Sequence, residues 1–593
     1  MSPHPGMPCL SPEEASSRRR IRRYAVPGRM IEQATERRAA GDWRGACAAA
    51  GVDVAFDLAK VAEDHGDDVA GALEDDLRHL VPDLLRWHLP RFLGGWTTLD
   101  TDRTVVLARY RPVDAAERPL PTPYLHVTTP PMVQGPQRVT LRFESVFGEA
   151  ADGVFRWSTD DWRQARHLWD ARRTTELLER CGGGDRPPFF HADGTPRTAE
   201  ELPTADPGPA DPAARAERAT LLHQRGAVLE ALAAAGIEAD LTPPSTPATY
   251  RPGLEECLRP LALNHTRLEP EVRRLVGAGT GSGALLKHGG WGTNILLEPD
   301  GSGAGLRIRA VDSKNAGNLP FLAEELWRRL PDLDLLRMGG VEPEHLHPLV
   351  REALFPALTV PEGTVGPPGP DAPAPVRVRC RGEWHEVGFR PGNGLLRMPH
   401  SDEEQQRERA LRAFGGAVAG CFAVQQTWAS GDGRLPKALR AQMRDLFLRA
   451  QHGDTHGVLE LLDAGVDPRV RDTARRSLLH VLHLVDHRLL LPRLLEAGLD
   501  LEARDSRGRT PLFVAVNDGG SRALVEAFLA AGARIDVVDD IDYSLAQIIR
   551  RYGRADLAFL RQRVREEHPG IGADWWDEMM DANEEHDDED EDS

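Results

Sequence analysis

The chain has 593 residues, a mass of 65.3 kDa, 40% hydrophobic residues and a formal net charge of −19. That is enough apolar material for several domains with separate cores, while no apolar run approaches the ~18 residues a membrane span needs. Of its 73 basic residues only Lys60, Lys287, Lys314 and Lys437 are lysine; with the abundant Ala, Gly and Pro, this marks a GC-rich bacterial genome rather than a function.

Residues 1–23 read as a disordered basic arm ending in Arg18-Arg19-Arg20-Ile21-Arg22-Arg23, and Met1–Leu10 holds no apolar core of signal-peptide length. Met30, Ile31 and Ala34, then Gly41-Asp42-Trp43, then Ala46, Cys47 and Ala50 predict a helical hairpin turning at Gly41. Helical periodicity continues through Val52–Leu93. Strands are predicted at Thr104–Tyr110, Tyr124–Thr128 and Val139–Phe143, and Trp157, Trp162 and Trp169 on or beside a helix running to about Arg180.

Gly182–Asp211 is rich in Pro, Gly and Asp and reads as a linker, followed by a helix at Ala213–Ala235 and a second Pro-rich break at Thr242–Gly253. Further strands are predicted at Ala284–Lys287, Thr293–Glu298 and Leu306–Val311, then a helix at Pro320–Leu330 and a linker within Val360–Pro375. Val376–Cys380, Trp384–Phe389 and Leu395–Met398 resemble a small antiparallel meander, and Ser401 with Glu404 forms a capping box opening a helix at Asp402–Phe414.

Towards the C-terminus the same phrase recurs. Leu461-Leu462-Asp463-Ala464-Gly465, Leu494-Leu495-Glu496-Ala497-Gly498 and Phe528-Leu529-Ala530-Ala531-Gly532 end in glycines 33 and then 34 residues apart. Ser477, Thr510 and Ser544 keep the same spacing, as do Gly453, Asp486, Gly519 and Gly553. A fixed period of this size means one supersecondary unit is stacked several times. Thr510 suits a helix N-cap, Pro511 the first helical turn, Gly519 the turn between helices and Gly532 a helix end at positive φ. Four units are expected, with helices near 440–465, 477–498, 510–532 and 544–562. Arg475 stands where a hairpin glycine is expected, and Pro492 lies inside a helix.

Thr510-Pro511-Leu512-Phe513 resembles the ankyrin signature Thr-Pro-Leu-His, and Ala503–Arg509 before it resembles the ankyrin hairpin. The resemblance covers about residues 440–565, with only the third unit close to consensus. It implies a C-terminal α-solenoid of ankyrin-like repeats following an N-terminal α+β region of unidentified fold. The expected divisions are an arm (1–23), a helical hairpin with an α+β domain (24–180), a linker carrying one helix (181–253), a second α+β domain (254–360), a linker (361–375), a small meander with a helix (376–430), the repeats (440–565) and an acidic tail (571–593).

By that resemblance the chain is expected to bind other proteins through hairpin tips and the concave helix surface. The contact residues it implies are Arg469 and Arg471 in the first hairpin, Glu502, Arg504, Ser506 and Arg507 in the second, and Asp536, Asp539 and Asp540 in the third. Recognition rather than catalysis is the expected chemistry, with no cofactor, no metal and a cytoplasmic location. The alternative is an enzyme or toxin-like effector whose active domain lies within 24–430; a deep pocket lined by convergent titratable residues there would favour it. A weaker alternative is a nucleic-acid-associated regulator using the nine arginines of Arg18–Arg44.

Other clusters point less far. His480, His483 and His487 share a helix face, but His480 falls where ankyrin repeats carry a structural histidine. Gly277–Gly283 lacks the Gly-Lys-Ser/Thr of a phosphate loop, Lys287 following three residues later than that pattern allows. Cys181 with His191 carries no nucleophile signature, and His385, between Trp384 and Glu386, has no evident acid–base partner. Cys9, Cys47, Cys181, Cys257, Cys380 and Cys421 show no paired spacing, which fits reduced thiols better than a zinc site. Twelve acids and no Lys or Arg lie between Asp574 and Ser593, where Trp575, Trp576, Met579 and Met580 either pack on the last repeat or anchor a partner.

Overall fold

The computed structural model describes residues 10–110, 122–146, 158–243, 252–277, 282–286, 293–300, 305–312, 319–359, 361, 363, 365–389, 396–415 and 418–572. The acidic tail and Lys287 lie outside them. The chain forms two compact units: residues 1–133 with 138–368, and residues 134–137 with 369–593. No described helix is long and apolar enough to cross a membrane.

The N-terminal arm is a correction. Pro12–Tyr24 is a helix capped by Ser11, whose Oγ accepts the Glu14 N–H at 3.1 Å. Not all of its arginines are left in solvent. Arg22 is buried, donates to the Trp87 carbonyl and to Asp332 at 2.7 Å each, and stacks on the Trp87 ring at 4.4 Å. Asp332 also accepts the Trp87 indole N–H at 3.2 Å, so a carboxylate with no exposure is fully partnered.

Two five-stranded sheets organise the first unit. The first comprises β1 (Val52–Val54), β2 (Thr104–Arg109), β3 (Tyr124–Thr128), β4 (Val139–Glu144) and β5 (Thr159–Asp161), in the order β1-β4-β3-β2-β5. The second comprises β6 (Ile237–Asp240), β7 (Ala284–Leu286), β8 (Thr293–Pro299), β9 (Leu306–Asp312) and β10 (Phe321–Leu322), in the order β6-β9-β8-β7-β10 when read from the opposite edge. Each is an antiparallel meander of three strands flanked by one parallel strand that precedes it and one that follows it in the chain. The two sheets therefore share one topology.

What leads into each sheet matches as well. Helices Gly28–Ala39 and Trp43–Ala49 precede β1; helices Pro212–Gln224 and Val228–Ala234 precede β6. Both pairs turn on a glycine at positive φ, Gly41 at 76° and Gly226 at 85°, and both end on another, Gly51 at 67° and Gly236 at 79°. The strands are then entered through Ala48-Ala49-Ala50-Gly51-Val52 and Ala233-Ala234-Ala235-Gly236-Ile237. Glycine is required at these caps because the left-handed conformation strains any residue with a Cβ.

The expected split into two α+β domains joined by a linker does not hold. One apolar core runs from Ile21 to Phe355 through both sheets. The proline-rich segment after Gly182 is pinned by the wholly buried Glu217, which accepts from Arg186 and Arg197 at 2.6 Å and from the Phe189 N–H at 2.7 Å, and Phe189 and Phe190 in the same segment are buried. The predicted Ala213–Ala235 helix is two helices, and the predicted Pro320–Leu330 helix is β10 followed by a turn at Glu324–Trp327. Trp162 follows β5 and Trp169 follows a single 3-10 turn, Arg166–Leu168, rather than lying on a helix to Arg180; Trp157 lies outside the described residues.

In the second unit β11 (Val376–Cys380) and β12 (Glu383–Val387) form a hairpin through Arg381 and Gly382, both at positive φ, the geometry of a type I′ turn. The predicted third strand of that meander is reduced to one bridge, Gly388 to Arg397. Helices Asp402–Ala413 and Gly420–Ser430 follow. From Lys437 onward come helix pairs: Lys437–Gln451 with Thr455–Asp463, a 3-10 turn at Leu482–Leu484 with His487–Glu496, Pro511–Asn517 with Arg522–Ala530, and Leu545–Arg551 with Ala558–Glu567.

The recurring Leu/Phe-Leu-x-Ala-Gly phrase has one structural meaning. Gly465, Gly498 and Gly532 sit at φ 92°, 78° and 95°. Their N–H groups donate to the carbonyls of Leu462, Leu495 and Leu529, and the next N–H to Leu461, Leu494 and Phe528, all at 2.9 to 3.1 Å. This pair of hydrogen bonds closes a helix by satisfying carbonyls that have no partner within it. Leu512, Phe513, Leu524, Val525 and Phe528 are buried between successive pairs, each such side chain contributing ~1.5–3 kcal/mol. Pro492 is accommodated within its helix.

Candidate functional site

Between the helix pairs project three hairpins built on one plan. In each an aspartate closes the loop: Asp472 accepts from the N–H groups of Ala474 and Arg476 at 2.9 Å, Asp505 from Arg507 and Arg509 at 2.8 and 3.0 Å, and Asp539 from Ile541 and Tyr543 at 3.2 and 2.9 Å. The tip residue that must turn back lies at positive φ every time: Arg475 at 62°, Gly508 at 71°, Asp542 at 62°. Adjacent hairpins are then joined. The Ser506 N–H donates to the Ala474 carbonyl at 2.8 Å and the Asp540 N–H to the Arg507 carbonyl at 2.9 Å.

The nine residues implied by the resemblance divide on this frame. Arg471 donates to the carbonyls of Arg475 and Arg504, and Arg504 to those of Gly508 and Val538, so each arginine braces its own hairpin against the next. Arg469 is held by Asp467 at 2.8 Å, Asp536 by Arg534, and Glu502 accepts the Arg534 N–H at 2.9 Å. Asp539 is the loop-closing carboxylate. Ser506, Arg507 and Asp540 are exposed at the tips. Sequence reading missed Ile541, which stands 56% exposed beside Asp540; the signal was an isoleucine between two aspartates in a turn.

The three histidines do not form a metal triad. His480 Nδ1 accepts the Ser477 N–H at 3.1 Å, and its Nε2 lies 3.1 Å from the Arg509 carbonyl in the following hairpin. His483 Nε2 lies 3.0 Å from the Gln134 carbonyl. Burial pushes the His480 imidazole down to about 4, so it is neutral. The register explains the role: at the same position after the cap, Gln547 Oε1 accepts the Ser544 N–H at 2.9 Å.

The first unit encloses a cavity of about 360 Å³ that takes lining from both halves, including Arg22, His88, Arg91, Asp160, His167, Cys181, Glu271 and Glu325. Much of its charge is already paired: Arg103 with Asp160, Arg180 with Glu271, Arg328 with Glu14. What is not paired is more informative. His88 Nε2, His167 Nδ1 and two nitrogens of Arg91 are buried without a hydrogen-bond partner, and burial keeps both imidazoles far below their usual range. Glu325 faces the cavity, accepts the Trp162 indole N–H at 3.2 Å, and is pushed up to about 8 by burial and then by the Asp160 charge. A carboxyl whose proton is held towards neutral pH by burial and a neighbouring carboxyl is a recurrent acid–base arrangement.

Other expectations resolve simply. Cys181 donates to the Leu178 carbonyl and burial pushes its thiol up to about 12, while His191 turns to Glu201 at 3.3 Å, so they form no nucleophilic pair. Most of the Gly277–Gly283 loop lies outside the described residues. One group was not foreseen at all: Cys380, His385, His400 and Cys421 bring one ligand atom each within 4.8 Å of one another.

In comparisons with known proteins, no family model matches the chain. It is 37% identical over 70 residues to the ankyrin repeat-containing protein P1E11.10 of Schizosaccharomyces pombe. The match covers 12% of this chain and 34% of that protein, so the chain spans about a third of the relative's length. The likeness supports an ankyrin-repeat resemblance in part of the chain.

Proposed function

We propose that the helix pairs of residues 437–567 form an ankyrin-type solenoid that binds other proteins, and that the hairpin tips are its contact surface. The observation that carries this reading is the division of labour within the hairpins. Backbone groups, Asp472, Asp505, Asp539, Arg471 and Arg504 are committed to internal bonds, which leaves a rigid row presenting Ser506, Arg507, Asp540 and Ile541 to solvent. Rigid presentation lowers the entropy lost on binding. The row runs from arginine-rich to aspartate-rich, which sets the orientation of a charge-patterned partner. The test is a double variant, Arg507→Glu with Ile541→Asp, in the full chain. A bound protein should be lost while the circular dichroism spectrum and melting temperature stay unchanged; retention of the bound protein contradicts the proposal.

A second reading rests on the cavity of the first unit. Its unpartnered His88, His167 and Arg91 nitrogens together with the protonated Glu325 suit a small polar ligand carrying an anionic group. A thermal-shift screen of small carboxylates and phosphates tests it. A compound that stabilises the native chain but not Glu325→Gln supports the reading, and no stabilising compound across the screen refutes it.

A further inference from the structure

We propose that Cys380, His385, His400 and Cys421 form a structural zinc site within the second unit. The four come from separate elements. Cys380 ends β11 and His385 sits on β12, across the tight turn; His400 precedes the helix Asp402–Ala413; Cys421 opens the helix Gly420–Ser430. His385 Nδ1 lies 3.2 Å from His400 Nε2, Cys421 Sγ 3.5 Å from His385 Nδ1, and Cys380 Sγ 3.6 Å from His400 Nε2.

These separations fit a tetrahedral zinc ion. With Zn–N near 2.0–2.1 Å and Zn–S near 2.3 Å, tetrahedral angles put two nitrogens roughly 3.4 Å apart and a nitrogen and a sulfur roughly 3.6 Å apart. Two thiols and two imidazoles in that geometry select zinc over hard cations, which take oxygen. A disulfide between the cysteines would leave both imidazole nitrogens aimed at the same point without a reason.

The surroundings are built for it. His400 Nδ1 lies 3.4 Å from Glu404 Oε2, which fixes the tautomer and aims the Nε2 lone pair at the cluster. That carboxylate is itself held by the Ser401 N–H at 3.0 Å, so the capping box of the helix doubles as support for the ligand. Gly420, at φ 60°, lies where a Cβ would fall 2.5 Å from the Cys380 sulfur, so glycine lets the helix start approach the hairpin closely enough for Cys421 to join. Cys380 and Cys421 are 2% and 0% exposed. Four protein ligands fill a tetrahedral ion, leaving no position for water or substrate, which makes the site structural rather than catalytic. Its effect is to staple the hairpin and two helices together ahead of the first repeat.

The test is metal analysis of the full-length protein purified without chelators, followed by cobalt substitution. One zinc per chain is expected, with intense visible bands of tetrahedral cobalt and thiolate-to-cobalt charge transfer, and zinc content at least ~10-fold lower in Cys421→Ser. Should Cys421→Ser fail to fold, Glu404→Gln keeps all four ligands and should weaken zinc ~10–100-fold in competition with a chelator. The proposal is overturned by any of three results: a preparation without zinc that takes up no stoichiometric Zn²⁺ when reduced, a cobalt spectrum of octahedral type lacking thiolate bands, or unchanged zinc affinity in both variants.

Discussion

Arg475 occupies a left-handed turn position that its counterparts fill with Gly508 and Asp542. An L-residue there costs ~1–2 kcal/mol, partly offset by the greater chain entropy a glycine loses on folding. Arg475 is exposed, and its nearest carboxylate, on Asp432, is 3.9 Å away. Arg475→Gly should therefore stabilise the second unit by ~0.5–1 kcal/mol, read as a higher urea midpoint at unchanged slope; a lower midpoint contradicts the strain. This departure was legible in the sequence, because the resemblance to the ankyrin hairpin implies a glycine at that position. The Cys/His cluster was not. Its members lie on elements 5, 15 and 21 residues apart, and no local spacing announces ligands that only the fold brings together. Arg22 shows the same limit: its partner, Asp332, lies more than three hundred positions away. Truncating it to Ala strands a buried carboxylate and should cost ~3–5 kcal/mol in the melting of the first unit, whereas a solvated arm would lose nothing measurable.

At the scale of elements, the caps carried most of the legible information. The three Gly-ended phrases and the Thr510 and Ser544 starts each correspond to a helix boundary, because left-handed closures and side-chain caps admit few residue types; Ser477 does not, since a turn follows it and the next element is the 3-10 turn at Leu482–Leu484. Strands with strict alternation, such as Val139–Glu144, could be read the same way. Segments whose partners are distant could not: Pro320–Leu330 has helical spacing, yet Phe321 and Leu322 pair with Leu285 and Leu286. His480 joins one element to the next and gives a pH-dependent prediction. Its folded value, about 4, lies below the ~6.5 of an unfolded histidine. Protonation thus favours the unfolded state. The contribution is complete above pH ~6.5 and is lost as pH falls towards 4, by up to about 3 kcal/mol. Hydrogen-exchange protection factors in residues 477–530, taken against the intrinsic rate at each pH, should fall more on acidification in the native chain than in His480→Gln, where the amide copies Gln547. An equal fall in both would contradict this role.

At the scale of the molecule, the two sheets of one order change how the first unit is understood. The sequence carried a trace of this in Ala48–Val52 and Ala233–Ile237, whose glycines, Gly51 and Gly236, each lie ten residues after a turn glycine, Gly41 and Gly226. A doubled motif separated by 185 residues does not register as a repeat period, and the proline-rich segment between looked like a linker because Glu217, its anchor, sits outside it. The cavity draws its lining from both halves, and Glu325 makes a prediction there. Its folded value, about 8, lies above that of an ordinary carboxyl, so its stabilising effect is present at low pH and fades as pH rises from ~4.5 towards 8. The melting temperature of Glu325→Gln should gain on the native chain between pH 5 and pH 8.5; a constant difference would mean Glu325 is not held protonated.

The central claim, recognition of proteins by the hairpin row, is tested most directly by placing a photo-crosslinking amino acid at Ser506 or Ile541, and at Glu566 on the last helix as a control, in cells that make the protein. The account predicts a discrete adduct of one mass at the two tip positions and none at Glu566. Adducts absent from the tips, or equal at all three positions, would contradict it.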